Sequence, residues 1–492
     1  MSVPGPSQWL VLIVFVPLLA AVAAVLWPGR GAGRWLTVLT GLLTGGGLLS
    51  LSARLLDAGE PVTHALGGWP TPLGIALYAD GLSLAMLWLT WVVMSAASWH
   101  ADAYNPAHGI DEALFRPLWL ACWCALNAVF VSGDLFNVYV VLEISTLAAV
   151  PLVAIAGGRA ALTAALRYLL FALLGALVYL LGVALVYGRH GRLDMHGLEI
   201  TPEPAMLLAA GLVTAGLMAK AALVPMHVWL PPAHSRAPAP VSAILSALVV
   251  KAAVYLLLRL WTWTWPELIN GAAWVLGGLG AVAMIHGSVL ALLQVRLKRV
   301  VAYSTVAQLG YLLLVFPLAS LLAWQGVVMH AVSHGLAKAG FFLAAGNIMH
   351  LLGHDRLQGM RGISGGPLAL TMFALALSAV SLMGLPPSGG FLAKWLLLQA
   401  ALEAGAWGWA ALLLIAGLLA AAYLFRVLAI LLARDTPDPL AAPGSDRHVP
   451  TAMAWSALTL ALGSAVLAFA GEPLLRLFSI GSPDIMTGST GP

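Results

Sequence analysis

The sequence predicts an all-α integral membrane protein of about 14 transmembrane helices. Three observations carry this. First, 61% of the 492 residues are hydrophobic and only 9% are charged; soluble domains run at roughly 45–50% and about 25%. Second, those roughly 300 apolar residues fall in runs long enough to cross a bilayer, at roughly 20 residues per span. Third, two of the runs are too long for one straight span and carry prolines and glycines inside, the pattern of discontinuous helices.

The same numbers exclude other classes. Mean hydropathy is +0.95, which leaves no room for a soluble enzyme or a disordered chain. Barrel strands are short and alternate, unlike these runs. The net charge is only +4 and no dense basic cluster is present, so no nucleic-acid partner is expected. Cys122 and Cys124 lie in an apolar run, without the further ligands a metal site needs, and read as packing residues. The first run follows MSVPGPSQ. It lacks a basic leader and reads as a retained span.

Taken in order, the apolar runs start near residues 8, 34, 73, 113, 134, 161, 204, 239, 270, 299, 321, 367, 407 and 451, each bounded by Pro, Gly or charge. The seventh, about 204–232, contains Pro225 and ends at Pro231 and Pro232. The twelfth, about 367–402, contains Gly384-Leu385-Pro386-Pro387-Ser388-Gly389-Gly390. An odd offset flips topology, so broken helices five spans apart predict two inverted five-helix repeats. The chain then divides into residues 1–112 (helices 1–3), 113–260 (first repeat, helices 4–8), 261–434 (second repeat, helices 9–13) and 435–492 (connector and helix 14). The connector ARDTPDPLAAPGSDRHVP reads as surface chain. No amphipathic helix is expected after the last span.

Arginine and lysine set the orientation. Odd-numbered loops hold Arg30, Arg34, Arg116, Arg159, Arg236, Arg296, Lys298, Arg299, Arg356, Arg361, Arg434 and Arg447. Even-numbered loops hold Arg189 and Arg192, with Arg54 and Arg259 at helix ends. Odd loops are therefore expected to be cytoplasmic and both termini outside, in a bacterial-type inner membrane.

The chain has five lysines, and only Lys298 falls in a predicted loop. Lys220, Lys251, Lys338 and Lys394 sit inside apolar runs. Each intramembrane lysine costs roughly 2.5–3.5 kcal/mol on insertion, so four oppose it by about 10–14 kcal/mol before partners are counted. Snorkelling explains a lysine near a span end but not Lys251, about twelve residues into its span. One acid matches them. Glu143 lies nine residues beyond Asp134, roughly 13 Å along a helix, while Asp134 itself reads as a boundary or capping residue. A buried Glu/Lys pair that can separate shifts both proton affinities, which a proton relay needs.

His330, His334 and Lys338 are spaced i, i+4, i+8 and stack on one helix face. Histidine passes protons near neutral pH. With no acid beside them, zinc is not predicted. His286 stands alone in its span. His227 and His234 flank the seventh-span break, where they cap freed backbone or line water. Lys220 precedes its break at a half-helix C-terminus, where the dipole favours a cation. Lys394 follows its break near a half-helix start, where the dipole opposes one. The two are expected to hold protons with different strength. Ser145 and Thr146 beside Glu143 are potential sodium ligands, although helix back-bonding is their ordinary role.

These residues resemble a known family. KAALVPMHVWLPPAHSRAPAPVSAILSALVVKAAVYLLLR (Lys220–Arg259), GDLFNVYVVLE (Gly133–Glu143), RLKRVVAYSTVAQLGYLLL (Arg296–Leu314) and LPPSGGFLAKW (Leu385–Trp395) are similar to segments of the antiporter-like membrane subunits. These occur in respiratory complex I (NADH-quinone oxidoreductase), membrane-bound hydrogenases and Mrp-type cation/proton antiporters. The resemblance covers roughly residues 70–430. It implies a fourteen-helix fold with two inverted half-channels and partner subunits in an assembly. It also implies that Glu143 and Lys220 form a coupled pair, that Lys251, His330, His334 and Lys338 form a central hydrophilic axis, and that Lys394 ends it. Pro232 departs from the Asp often found after WLP, so no carboxylate is assigned there. GDLFNVYVVLE leans toward the D-type subunit of Mrp antiporters. AHSRAPAP and the histidines of span 11 lean toward complex I and hydrogenase subunits. No long extension with a lateral helix, as in the family's largest type, is expected.

The expected function is proton translocation within a multi-subunit complex, in some forms exchanged for sodium or another monovalent cation. No catalytic, cofactor-binding or metal-binding residues are predicted, since no nucleotide loop or cysteine cluster is present. The rivals are a redox-driven complex of the NADH-quinone oxidoreductase or hydrogenase type, a stand-alone secondary transporter, a scaffold that has lost transport, and a module driving uptake of inorganic carbon or another substrate through a partner.

Overall fold

The computed structural model describes residues 6–69, 73–196, 198, 200–363, 368–433 and 448–487. Helices α1 (Pro6–Leu26) and α2 (Arg30–Ala58) come first. A small antiparallel hairpin follows, β1 (Val62–Ala65) with β2 (Ala76–Ala79). Then come α3 (Gly81–Ala107), α4 (Glu112–Val131), α5 (Leu135–Ala154) and α6 (Gly158–His190). The seventh crossing is broken into α7 (Pro204–Lys220) and α8 (Leu230–Arg236). Next are α9 (Ala239–Thr264), α10 (Pro266–Leu293), α11 (Leu297–Leu318) and α12 (Leu321–Leu352). The twelfth crossing is broken into α13 (Ala369–Met383) and α14 (Gly389–Glu403). The last are α15 (Trp407–Leu431) and α16 (Thr451–Ser479). Among the described residues, 12 helices are long and apolar enough to span a membrane. With the two broken crossings they make the fourteen expected.

Local chemistry sets several starts. Asp80, Asp134, Ser320 and Ser388 accept the backbone N–H three residues on and so cap α3, α5, α12 and α14, a role their short polar side chains suit. Helices α9 and α12 are wholly buried at the centre, while α1, α2, α6 and α15 turn leucines and tryptophans outward, as a bilayer requires. Close approach of α6 and α7 rests on small residues: a Cβ on Gly175 would lie 2.8 Å from the Gly216 carbonyl oxygen.

Three expectations need correction. The third span starts at Gly81, not near 73, because Ala76–Ala79 alternates in and out as a strand and Asp80 can then cap the helix. Lys298 is buried at the start of α11 and donates to the Ala237 carbonyl at 2.6 Å, closing the end of α8. An amphipathic stretch does follow the last span's core: Gly471–Ser479, with Glu472 and Arg476 paired outward at 2.6 Å. Arg434, Arg447, most of the connector and the expected start of the twelfth span at 367 lie outside the described residues.

The two broken crossings belong to a repeated pattern. Asp134 bridges Asp194, and Arg296 bridges Arg356, at a constant separation of 162 residues (296 − 134 and 356 − 194). The positive-φ residues Ala222 and Gly384 keep the same separation, as do the prolines three residues on, Pro225 and Pro387. So do the hydrogen bonds at the breaks, Leu223 N–H to Met218 and Leu385 N–H to Val380, each 3.1 Å. Spans 5–7 and 10–12 therefore share backbone detail that their side chains conceal.

Candidate functional site

The site is built on α5, the two breaks, α9, α11 and α12. On α5, two and a half turns past the Asp134 cap, Glu143 meets Lys220 at the end of α7. The ammonium donates to Glu143 Oε1 at 2.6 Å and to Thr146 Oγ1 at 3.1 Å. Lys220 is buried and Glu143 nearly so, with 17% of its side chain exposed. A buried ion pair needs this geometry and a further hydrogen bond to offset desolvation. Thr146 also donates to the Leu142 carbonyl, the helix back-bond, while its oxygen accepts from Lys220. Ser145 and Thr146 line a space of about 10 Å³ against Lys220 and α9, the size of one water.

Lys251 sits on α9 just past a π-helical segment, Leu245–Val249. Such segments release regular carbonyl pairing and recur at functional sites. The fully buried Lys251 donates to the Ser246 carbonyl at 3.0 Å. Lys338, also fully buried, donates to the Val301 carbonyl at 2.8 Å and to the Ser304 hydroxyl. Among the described residues, neither has a carboxylate partner.

On α12 the expected stack is present. The rings of His330 and His334 lie 5.5 Å apart and nearly parallel, one turn before Lys338. His330 Nε2 meets the Gln308 carbonyl at 3.1 Å, and its ring stacks on Tyr311. Both His334 nitrogens are buried without a hydrogen-bond partner. Its ring lies between His330 and Lys338 on the same helix face.

Lys394 overturns the dipole argument. It belongs to α14, but its ammonium reaches back across the break and donates to the Leu382 and Met383 carbonyls at 2.9 and 3.0 Å. It therefore caps the C-terminal end of α13, where the dipole favours a cation. Lys220 and Lys394 both sit at the end of the half-helix before a break. What differs is that Lys220 has a carboxylate and Lys394 has carbonyls and the Tyr311 ring, 5.1 Å away.

The supporting residues divide. Pro225, Pro386 and Pro387 sit at the breaks as expected, on the exposed side. His227 is buried, with its ring 5.1 Å from that of His286, so the two are neighbours. His234 does not cap backbone; it stacks on Phe342 at 4.5 Å and both ring nitrogens lack partners. The indole of Trp229 does the capping instead, donating to the Ala219 carbonyl at 2.9 Å.

Sequence reasoning missed an ion pair. Asp80 and Arg259 are both fully buried, with Arg259 Nη1 donating to Asp80 Oδ2 at 2.5 Å and Nη2 to Oδ1. Arg259 also lies 3.7 Å over the Trp263 ring. The signal was present: Lys251, Tyr255 and Arg259 are spaced i, i+4, i+8, as on α12. Ser304, Gln308 and Tyr311 were legible in the same way as one face of α11.

Known proteins bear on this arrangement. Residues 132–420 match the family described as NADH:quinone oxidoreductase/Mrp antiporter, TM. A NADH-quinone oxidoreductase subunit N from Desulforudis audaxviator is 37% identical over 94% of this chain and 96% of its own length. The D-type subunit of a Na(+)/H(+) antiporter from Alkalihalophilus pseudofirmus is 28% identical over 68% of this chain and 69% of its own. Among solved structures, a chain of the Mrp complex from Dietzia sp. superposes with TM-score 0.87 at 26% identity, covering 98% of both chains. A chain of the archaeal membrane-bound sulfane sulfur reductase superposes with TM-score 0.86 at 26% identity, covering 98% of this chain and 99% of its own. The second is described as an archaeal respiratory membrane complex. With more than half its length matched and a full-length relative above 30% identity, the chain is a multi-pass membrane protein of the NADH:quinone oxidoreductase/Mrp antiporter transmembrane family.

Proposed function

We propose that this chain translocates protons as one subunit of a multi-subunit membrane complex. The burial of Lys220, Lys251 and Lys338 inside the helix bundle carries the reading. Such charges are costly in a membrane interior and occur there on ion pathways. Glu143 and Lys220 act as the coupled pair that loads the row. Lys251, His330, His334 and Lys338 pass the proton, and Lys394 ends the path. Pro225, His227, His234, Pro386 and Pro387 shape the breaks that bring the end groups together. The two repeats are residues 113–260 and 261–434, an assignment supported by the 162-residue backbone correspondence. Both termini face outward from a bacterial-type inner membrane. The transported ion is the proton, with sodium as the alternative counter-ion.

A second reading, membership of a redox-driven complex, is favoured by the near full-length similarity to the oxidoreductase subunit N relative. Gentle-detergent purification from native membranes, with mass spectrometry of what accompanies the chain, tests both. Co-purifying subunits with flavin or iron–sulfur centres support the redox-driven complex. Membrane subunits alone support an antiporter. A chain that purifies alone and still transports refutes the multi-subunit reading.

A further inference from the structure

The buried Asp80–Arg259 pair has a chemistry of its own. Around it is a continuous polar cluster. Tyr255 Oη lies 3.1 Å from Ser83 Oγ and accepts from Arg259 Nε at 3.0 Å. Arg259 donates to Ser83 Oγ at 2.8 Å, and Ser83 in turn faces the Asp80 carboxylate, its backbone N–H donating to Oδ1 at 2.9 Å. The cluster starts one turn from Lys251 on the same face of α9 and ends at a cavity.

That cavity is about 380 Å³, lined by Tyr78, His196, Trp263, Gly481, Ser482 and Asp484 among others. Gly481 is what separates it from Asp80. A Cβ on Gly481 would lie 2.7 Å from Asp80 Cβ and 3.1 Å from Oδ2, so the fully buried Asp80 packs directly behind this one residue of the cavity wall. The lining comes from the end of α9 and from the segments after α2, α6 and α16. These helices end the second, sixth, eighth and fourteenth crossings, whose ends are outside by the arginine count.

We propose that this cluster is a proton branch leaving the axis at Lys251 and opening on the outer face; the proposal rests on the proton-translocating reading above. Lys251 now points along α9 toward Ser246. Swung the other way along the helix, its ammonium meets Tyr255, since residues four apart are neighbours at about 6 Å. There it gives one proton to Tyr255 Oη and becomes a neutral amine. Tyr255 releases its own proton, which rests on the Phe130 carbonyl at 2.8 Å, to Ser83 Oγ. Ser83 passes its proton to Asp80. Asp80 becomes a neutral acid, releases the proton to water in the cavity and returns to carboxylate. Rotation of the two hydroxyls resets the branch. Arg259 stays charged throughout. It holds Asp80 and Ser83 in place and repels a second cation. It is a positioning residue.

The test uses the intact complex in vesicles loaded with a pH indicator. Tyr255→Phe removes the hydroxyl but keeps the ring against Phe130 and Arg259. With the Lys394 end of the axis still open, the branch predicts flux lower by about half, with assembly unchanged. Wild-type flux in Tyr255→Phe overturns it. Ser482→Cys provides an independent readout, because the native Cys122 and Cys124 are buried. A membrane-impermeant thiol reagent added outside is expected to label it and to lower flux by a similar factor. Labelling only from the cytoplasmic side, or full labelling without loss of flux, overturns the branch even if Tyr255→Phe fails to assemble. Glu143→Gln and Lys220→Met in the same vesicles report on the underlying reading. Full flux in those variants overturns proton translocation by the axis. Lost flux there beside wild-type flux in Tyr255→Phe overturns the branch alone.

Discussion

Consider removing the carboxylate from the Glu143–Lys220 pair. The ammonium lies 2.6 Å from Glu143 Oε1 with Lys220 only 7% exposed. At an effective dielectric of about 20, a pair this close attracts by roughly 6 kcal/mol before desolvation is subtracted. Breaking one side of a buried pair strands the other charge and costs about 3–5 kcal/mol. Glu143→Gln keeps an acceptor beside Lys220 and falls at the low end of that range. Replacing both partners, Glu143→Gln with Lys220→Met, removes the stranded charge and recovers most of the loss. Two assays separate structure from function: thermal stability of the assembled complex in detergent, and proton flux in vesicles. The double variant is expected to regain stability yet remain defective in flux. If the double variant regains both, the pair is a structural staple and the reasoning fails.

Other perturbations have equally definite outcomes. Lys394→Arg can still cap the Leu382 and Met383 carbonyls, but guanidinium does not release its proton; assembly should persist while flux falls, and unchanged flux would remove Lys394 from the path. Gly384→Ala must adopt φ near +81 and place a Cβ 2.6 Å from Lys394 Cδ, so a stability loss of about 1–2 kcal/mol or more is expected, with flux reduced through displaced Lys394. His334→Leu removes two nitrogens that have no hydrogen-bond partner, so stability should hold or rise while flux drops; a destabilised variant would mean the ring makes bonds that matter. Arg259→Met leaves Asp80 unpaired at full burial and should cost about 3–5 kcal/mol in thermal unfolding, whereas a neutral result would show that Asp80 does not depend on it for charge balance.

Much of this was legible in the residues. The fourteen crossings follow from apolar length, and the two broken ones from prolines and glycines placed inside runs too long to be straight. Glu143 as the acid for a buried lysine and the α12 stack follow from charge in apolar surroundings and from spacing by four, while the choice of Lys220 as its partner comes from the family resemblance. Other features depend on contacts that sequence does not order. The direction of the Lys394 side chain reverses the dipole argument, because a lysine spans enough distance to serve the helix end across the break. Lys298 looks like a loop cation until the Ala237 carbonyl appears beside it. Asp80 sits in an unbroken apolar run, so nothing local says that a hairpin ends at Ala79 and frees it to cap α3. Arg259 looks like a positive helix end until Asp80 is brought to it from 179 residues away.

The central claim is that protons move along the lysine row, and Lys251 is its middle. The most direct measurement is proton flux in vesicles carrying the intact complex, comparing wild type with Lys251→Met. Methionine fits a fully buried site without a charge to desolvate, so the chain should fold and assemble. The account predicts flux reduced by on the order of a hundredfold, the scale of losing a positioned proton carrier. Wild-type flux in a fully assembled Lys251→Met complex would contradict it.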